Sequence, residues 1–263
     1  MTTSILIVNY KVPELLEKCL QSIRQYTTDY EVLVHDNSPP NRNLGFARAN
    51  NLLIRKARGD YIVLLNPDTR VTEGWLDQLI ETAESDSKIG IVQPKTLRPN
   101  GLLDSTGHRY IFTSGVYMPG DRGAEEIDRG QYDTKTELKT CTFAAALIKR
   151  TVFETIGLLD EKMFLYCEDM EFCLRASRQR WRVVYCPKSI VYHVRHGSAS
   201  TVVKVSPWQI YFAYIQLKYF GVMPFLAFIF TTVARMPAGI SGKDATYLRR
   251  KVSIIPKLKR MIT

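Results

Sequence analysis

The sequence predicts an α/β fold in which a mostly parallel central sheet is flanked by helices. Two observations support this fold class. Runs of consecutive apolar residues alternate with stretches of helical spacing, and several apolar runs end in polar residues. Such uninterrupted runs are typical of strands buried on both faces, as in parallel sheets covered by helices. At 263 residues and 45% hydrophobic content, the chain is long enough to bury a large core.

The first half of the chain alternates strand and helix through short connections. Pro13 fits the first turn of a helix, and Gly59 ends a later one. The predicted elements are a strand over 4–10 (SILIVNY), a helix from Pro13, a strand over 30–37, a helix over 46–58, a strand over 61–65 (YIVLL), a helix over 73–85 and a strand over 89–94.

The second half begins with a less regular segment. Residues 95–140 are rich in Gly and Asp, and we expect short strands near 108–117 and a mobile lid. The predicted elements that follow are a core strand over 141–150, a helix beginning near Glu168, and strands over 181–187 and 189–194.

The amino terminus and the cysteines indicate a cytosolic protein. No basic stretch precedes the first apolar run, so the sequence predicts no signal peptide. The five cysteines are scattered without a C-x-x-C pair. We therefore expect reduced thiols, most of them in the core, in place of a disulfide frame or a zinc site.

The carboxyl-terminal part combines an apolar segment with a basic tail. Between residues 208 and 234 the only charged residue is Lys218, and Gly221 and Pro224 interrupt the apolar run. Residues 235–263 contain eight Lys or Arg and one Asp, a balance of 8 minus 1, or +7, within a total of +10. This pattern favours a segment lying in a membrane interface, with a packed helix hairpin or a true membrane span as alternatives.

Polar residues follow three of the predicted strands. Asn9, Asp36 and Asp68 each lie at a carboxyl end, where parallel sheets bind their ligands. Asp68 follows Pro67, and its carboxylate is of the type that holds Mg²⁺ or Mn²⁺ on phosphates. Asp36-Asn37 and Asn66-Pro67-Asp68 also fit ordinary turns, and the sequence leaves that alternative open.

A cluster of acids and a late histidine are further candidates. Glu168, Asp169 and Glu171 lie around a predicted helix start, so they are either a solvated first turn or a source of a general base. His193 follows an apolar strand and is either a core histidine or a neutral imidazole that binds a cation beside Asp68. His196 lies close by and leaves that choice open.

The chain carries an ordered set of motifs: IVNYK, VHDNS, NLGFARANN, LLNPDTRV, GLLDEKMFLYCEDMEFCLRA, RVVYCP and VYHVRHGSAS. This set resembles the family 2 inverting glycosyltransferases with a GT-A fold, in the bacterial rhamnosyltransferase-like branch. The resemblance runs from about residue 5 to residue 200. It implies a catalytic GT-A domain over 1–205 with a Rossmann-like nucleotide-binding half. Residues 206–263 would then be a membrane-associating appendage of interfacial helices.

The resemblance also implies roles for individual residues. Asp68 would hold a divalent cation, Mg²⁺ or Mn²⁺, on the donor diphosphate, with His193 as a further metal ligand. Asp169 would be the catalytic base, supported by Glu168. The nucleotide-sugar contacts carry over to Asn9, Asp36, Asn43, Gly45, Asn50 and Asn66.

Two departures from the family pattern concern the donor site. The first position of the metal motif is Asn66 in place of Asp, so a single carboxylate would anchor the cation. Only six residues separate Asp36 from Asn43, where relatives have a longer insert, which predicts a more open nucleotide pocket.

The implied activity is transfer of a sugar, by a single displacement with inversion, from a nucleotide-diphosphate donor to a hydroxyl group. The expected donor is dTDP-rhamnose or a UDP-sugar, and the expected acceptor is a saccharide or lipid-linked saccharide in cell-surface polysaccharide synthesis. We expect a cytoplasmic protein, peripheral on the inner face of the cytoplasmic membrane, that binds no nucleic acid.

Other function classes fit the sequence less well. A catalytically silent sugar-nucleotide or glycan binding module at the membrane stays an alternative. A nucleotidyltransferase would show a Gly-rich loop after the first strand, and a dehydrogenase would show G-x-G-x-x-G there. Nucleic-acid binding would depend on the basic tail alone.

Overall fold

The structure is a computed structural model that describes residues 2–195 and 208–234. The strands are β1 (Thr3–Asn9), β2 (Tyr30–Asp36), β3 (Tyr61–Leu65), β4 (Thr69–Val71), β5 (Ile89–Leu97), β6 (Leu103–Ser105), β7 (His108–Thr113), β8 (Val116–Asp121), β9 (Thr136–Leu138), β10 (Ala145–Lys149) and β11 (Arg182–His193). The helices are α1 (Pro13–Tyr26), α2 (Gly45–Lys56), α3 (Trp75–Glu84), α4 (Arg150–Ile156), α5 (Glu168–Arg178), α6 (Trp208–Ile215) and α7 (Val222–Ala234), with a π-helix over Gln216–Phe220.

The main sheet has the strand order β2-β1-β3-β10-β5-β11-β4, with β6 beside β5 and β9 beside β11. Strand β1 is parallel to β2 and β3, and β5 is parallel to β11. Strand β10 is antiparallel to both of its neighbours, and β4 is antiparallel to β11. The predicted mostly parallel sheet is therefore confirmed, with β10 as the internal exception.

Helices cover both faces of this sheet. One apolar cluster contains residues of α2, α4 and α5, and a second contains residues of α1 and α3. Successive β1 residues alternate between the clusters, because neighbouring side chains of a strand point to opposite faces: Leu6 belongs to the first, and Ile5 and Ile7 to the second. All five cysteines are buried and free, as expected.

Several elements differ from the prediction. The segment 141–150 forms a strand only over β10, and the short α4 and β4 were not predicted. The two strands expected over 181–187 and 189–194 are one strand, β11, whose register with β5 shifts between Cys186 and Ile190. Such a bulge accommodates Pro187, which cannot donate to the ladder.

The segment 95–140 is more ordered than a mobile lid. It contains β6 and β9, which pair with the main sheet, and the β7–β8 hairpin. Lys95, whose side chain is 5% exposed, forms ion pairs with Asp128 (2.8 Å) and Asp133 (2.5 Å). These contacts fix residues 128–133 to β5.

By the clustering of its contacts, the chain divides into two compact units. The first unit contains residues 1–109, 121–164 and 168–204, and the second contains 110–120, 165–167 and 205–263. Within the described residues, no helix is both long enough and apolar enough to cross a membrane. The basic tail over 235–263 and His196 lie outside the described residues.

Candidate active site

The carboxyl ends of β1 and β2 bring Asn9 and Asp36 together. The two residues are direct partners in the strand register, and Asn9 Nδ2 donates to Asp36 Oδ1 at 3.1 Å. Asn9 Oδ1 is buried and has no hydrogen-bond partner among the described residues. Partial burial raises the pKa of Asp36, but hydrogen bonds from Ser38 and Asn9 outweigh it and lower the pKa below its ordinary value. Asp36 is thus an ionised, exposed carboxylate.

The Asx-turn alternative is also present at Asp36. The backbone N–H of Ser38 donates to Asp36 Oδ1 at 2.9 Å, which closes the turn after β2. The neighbouring Asn37 is buried, and its side chain donates to the Gly45 carbonyl at 3.1 Å and accepts from the Leu44 N–H at 3.1 Å. Asn37 therefore holds the start of α2 against the end of β2.

Two of the predicted nucleotide contacts have structural roles. Gly45 has φ +78°, and a Cβ atom there would lie 2.3 Å from the Phe164 carbonyl oxygen. Asn50 is 1% exposed, and its amide donates to the Phe46 carbonyl at 3.0 Å. Packing accounts for both residues, and their predicted contacts with a nucleotide sugar stay predictions. Asn43 is half-buried and accepts a hydrogen bond from the Gly45 N–H at 2.9 Å.

The turn after β3 buries Asp68 and leaves Asn66 half-buried. Asn66 O accepts hydrogen bonds from Thr69 N (3.2 Å) and Thr69 Oγ1 (2.7 Å). Asp68 is 3% exposed, and its carbonyl accepts from the N–H of Val194, the residue after β11. The pairing of β4 with β11 sets Thr69 opposite His193. The ends of β3 and β11 therefore meet at Asp68.

His193 lies between two carboxylates. Its Nε2 is 3.4 Å from Asp68 Oδ1, and its Nδ1 is 2.9 Å from Asp104 Oδ2. Burial disfavours the charged imidazole, but the hydrogen bonds with Asp104 and Asp68 outweigh it and raise the pKa of His193 to about 9. The predicted proximity of His193 to Asp68 is thus present. A pKa of about 9 favours the protonated imidazole at neutral pH when no cation is bound, and the role of His193 as a neutral cation ligand stays a prediction.

The Asp68–His193 pair fits one edge of a divalent cation site. Two neighbouring ligand atoms of an octahedral cation, with bonds of about 2.1 Å, lie roughly 3 Å apart, close to the observed 3.4 Å. Cation binding by Nε2 requires loss of the His193 proton. Among the described residues, no group of three or more His, Cys, Asp or Glu side chains is arranged to hold a metal ion.

A series of charged side chains, called the charged chain below, continues from His193 away from Asp68. Its members are Asp104, Arg195, Asp121 and His108. Asp104 Oδ1 lies 3.3 Å from Arg195 Nη1, and Arg195 also forms an ion pair with Asp121. Asp121 Oδ1 is 3.7 Å from His108 Nε2. Burial raises the pKa of Asp104, but the contact with His193 and the charge of Arg195 outweigh it and lower the pKa.

Asp169 lies near the far end of this chain. Burial raises the pKa of Asp169 and outweighs the electrostatic interaction with His108, which lowers it; the negative charge of Asp121 raises it further. The backbone N–H of Met170 donates to Asp169 Oδ1 at 2.7 Å, which fixes the carboxylate at the first turn of α5. Asp68 belongs to this set of charged side chains through His193, and Asp169, 101 positions later in the sequence, lies close enough to two of its members for them to affect its pKa.

Glu168 differs from its neighbour Asp169. It is 5% exposed, and its Oε2 has no hydrogen-bond partner among the described residues. Burial and the negative charge of Asp169 raise the pKa of Glu168 well above its ordinary value. Burial thus favours the protonated form of Glu168, whereas Asp169 is only half-buried.

Four residues of the charged chain were not predicted as site residues: Asp104, His108, Asp121 and Arg195. Three of them come from the segment 95–140, which has no pattern that points to the strand ends. Arg195 lies in the motif VYHVRHGSAS, two positions after His193, and this spacing was the available signal.

A family model described as Glycosyltransferase like family 2 matches residues 5–209. The matched region contains every residue of the charged chain. The protein belongs to this glycosyltransferase family. The resemblance noted in the sequence is thereby confirmed.

Curated relatives include proteins of polysaccharide synthesis. The chain is 30% identical to the O-antigen biosynthesis protein RfbC of Myxococcus xanthus over 63% of this chain and 13% of that protein. It is 23% identical to the rhamnosyltransferase WbbL of Escherichia coli over 78% of this chain and 89% of that protein. It is 24% identical to the N-acetylglucosaminyl-diphospho-decaprenol L-rhamnosyltransferase of Mycobacterium tuberculosis over 62% of this chain and 59% of that enzyme.

Solved structures of GT-A glycosyltransferases share the fold. GalNAc-T7 with UDP, GalNAc and Mn²⁺ matches 82% of this chain and 48% of that chain, with a TM-score of 0.61 at 14% identity. The mannosyltransferase PcManGT of Pyrobaculum calidifontis, with GDP-Man and Mn²⁺, matches 96% and 79%, with a TM-score of 0.55 at 15% identity. The predicted GT-A fold is therefore confirmed.

Proposed function

We propose that the protein is an inverting glycosyltransferase that moves a sugar, with rhamnose favoured, from a nucleotide diphosphate to a hydroxyl group. The observation that carries this proposal is a pair of acids beside one series of charged side chains: Asp68 is buried against His193, and Asp169, at the start of α5, lies close enough to His108 and Asp121 for them to affect its pKa. One acid is suited to the phosphate side of a donor and the other to proton removal from an acceptor.

Asp169 is the proposed catalytic base. Its raised pKa lies closer to neutral pH than that of an ordinary aspartate, which favours proton transfer from a hydroxyl group. The Met170 N–H donates to Asp169 Oδ1 and so orients the carboxylate. As Asp169 takes the proton, the acceptor oxygen attacks the anomeric carbon and the nucleotide diphosphate departs from the opposite face, with inversion.

The strand ends hold the donor in this proposal. Asp68 and His193 would ligate a divalent cation, Mg²⁺ or Mn²⁺, which when bound supplies positive charge to the departing diphosphate. Asn9 and Asp36 would contact the base and ribose, and this is supported by Asn9 Oδ1 being an open acceptor and Asp36 an exposed carboxylate. Asn66 would be a further contact with the nucleotide sugar.

The relatives support the finer assignments of donor and acceptor. Two of them are named rhamnosyltransferases, and one is named for a diphospho-decaprenol substrate. We therefore favour dTDP-rhamnose over a UDP-sugar, and a saccharide or lipid-linked saccharide as acceptor. A lipid-linked acceptor requires a location at the membrane, and we place the protein on the inner face of the cytoplasmic membrane as a peripheral protein.

A thermal-shift panel tests the donor site. The protein is heated with dTDP, UDP and GDP and with their sugars, each with and without Mn²⁺. A ligand at 100 times its Kd raises the free energy of unfolding by about 2.7 kcal/mol, which is a readable increase in Tm. We expect dTDP and dTDP-rhamnose to give the largest increases. If no nucleotide raises the Tm, the protein is not a sugar-nucleotide enzyme. If a nucleotide sugar raises the Tm but a transfer assay shows no product, the silent binding module is favoured.

A further inference from the structure

We propose, building on the membrane location in the proposed function, that the second unit carries an apolar face that lies on a bilayer with anionic headgroups. The face consists of Phe112 on the β7–β8 hairpin and of Val222, Met223, Leu226 and Phe230 on α7.

The α7 residues form one exposed stripe. Positions 222, 223, 226 and 230 lie within about 100° of the helix circumference at 3.6 residues per turn. Met223 is 76% exposed, Phe230 is 73% exposed and Leu226 is 52% exposed. Phe228, on another side of the helix, is buried and packs edge-on against Phe212 of α6. The stripe is therefore the outward side of a helix whose other side is packed.

Phe112 belongs to the same unit through aromatic contacts. Its ring lies 4.8 Å from the ring of Tyr117, which stacks on Phe220 of the π-helix at 4.7 Å. Gly115, at the hairpin turn, approaches Ala227 of α7 so closely that a Cβ atom would lie 2.8 Å from the alanine Cβ. Phe112 remains 61% exposed. The hairpin and α7 thus present large apolar side chains from one packed unit.

The charge of the unit identifies an anionic partner. Its residues include nine Lys or Arg and one acid, Asp244, a balance of 9 minus 1, or +8, within a chain total of +10. Its described residues contain Lys218 and no acid. Basic residues near an anionic membrane each add about 1 kcal/mol of attraction, and exposed apolar side chains add insertion into the interface.

A second copy of the chain is a less suitable occupant of this face. Two units that each carry +8 repel one another, whereas anionic lipid headgroups neutralise that charge. A lipid surface also accepts large, flat apolar side chains without requiring a complementary pocket.

Vesicle sedimentation with the full chain tests the proposal. The probes are vesicles of phosphatidylcholine and vesicles that contain about one-third phosphatidylglycerol. The test variant is Met223→Gln/Phe230→Gln, and the matched control is Leu52→Gln/Ile127→Gln, two exposed apolar residues of the first unit (36% and 58% exposed). Nucleotide-dependent Tm shifts are measured on each protein.

We expect binding to the anionic vesicles that falls in high salt, at least ~10-fold weaker binding of the test variant, and unchanged binding of the control. Equal binding of wild type and test variant, or no vesicle binding by wild type, would overturn the proposal. So would a wild-type dimer that the test variant dissociates, because the face would then bind a second copy. Failure of vesicle binding with intact nucleotide shifts refutes the membrane face alone; vesicle binding without any nucleotide shift refutes the proposed function alone.

Discussion

Glu168 and Asp169 are adjacent in the sequence but have different surroundings. Burial and the charge of Asp169 raise the pKa of Glu168 and so favour its protonated form. Asp169 is half-buried, accepts a backbone hydrogen bond and lies near His108. Separate environments that give neighbouring carboxyl groups different protonation states are typical of acid–base pairs in enzymes. Asp169 is consequently the residue of the pair that can receive a proton.

The different surroundings of Glu168 and Asp169 predict that Glu168→Gln retains sugar-transfer activity. A glutamine has the shape of a protonated glutamic acid and carries no charge, so we expect turnover within about threefold of wild type. Glu168→Ala removes the same carboxyl group and leaves a cavity in the core, and we expect it to lower the Tm. A steady-state transfer assay measures turnover. A loss with Glu168→Gln as large as that expected for Asp169→Asn would show that the ionised form of Glu168 is needed.

His193 makes the stability depend on pH. Because its pKa rises from 6.5 to about 9 on folding, the imidazolium stabilises the folded state fully below pH 6.5 and loses this contribution as pH rises through about 9. A shift of this size corresponds to roughly 3 kcal/mol. In chelator, we expect the Tm difference between wild type and His193→Gln to narrow from pH 6.5 to pH 9.5. A difference that stays constant over this range would contradict the ion-pair assignment.

At the scale of elements, the start of α2 is fixed against the segment that leads to α5. Phe46 N donates to the Phe164 carbonyl at 2.7 Å, and Gly45 allows the two backbones to approach. Asn51 strengthens the contact, since its side chain accepts from Leu159 N (3.0 Å) and donates to Leu159 O (2.9 Å). Helix α2 is thus held by backbone and side-chain hydrogen bonds to the segment that precedes α5, the helix that carries Asp169.

Gly45→Ala tests this contact. The new Cβ would lie 2.3 Å from the Phe164 oxygen at φ +78°, so we expect the free energy of unfolding to fall by ~2–4 kcal/mol. Gly101→Ala is the matched control, because its φ is +83° and no atom lies within 4 Å of the added Cβ. Urea unfolding measures both variants. Equal losses for the two would show that only the backbone conformation, and not the close approach, requires glycine at position 45.

The local sequence pattern predicted the helices and strands that have a clear hydrophobic periodicity or a clear residue signal at one end. Helix α1 begins at Pro13 and strand β3 covers the YIVLL run, both as expected. The direction of β10 was not predictable, because an apolar run has the same pattern in a parallel and in an antiparallel strand. The continuity of β11 was also missed, because Pro187 resembles a strand end until the bulge is seen.

At the scale of the whole molecule, the site divides into a part that topology predicts and a part that it does not. Asn9 and Asp36 meet, and Asp68 follows the neighbouring strand β3, because parallel strands end at one edge of a sheet. Asp104, His108 and Asp121 reach the same region through a long segment whose path depends on tertiary contacts such as the Lys95 ion pairs. Short-range patterns carry no information about such contacts.

The charged chain also gives the molecule one electrostatic unit. Negative and positive side chains alternate from Asp68 through Asp104 and Asp121 to the neighbourhood of Asp169. Because these groups are largely buried, solvent screens their interactions less than it screens surface pairs. Asp68 and Asp169 nevertheless share no direct partner among these contacts, so donor binding and proton removal are expected to be separable by substitution.

The assignment of Asp68 to donor binding and of Asp169 to proton removal is tested most directly by comparing donor affinity with turnover in Asp169→Asn and Asp68→Ala. For Asp169→Asn we expect donor affinity within about threefold of wild type and turnover reduced by roughly 100-fold to 10,000-fold, since only the base is lost. For Asp68→Ala we expect donor affinity itself to fall. Near-normal turnover in Asp169→Asn, or unchanged donor affinity in Asp68→Ala, would contradict the assignment of the two acids to opposite ends of one reaction.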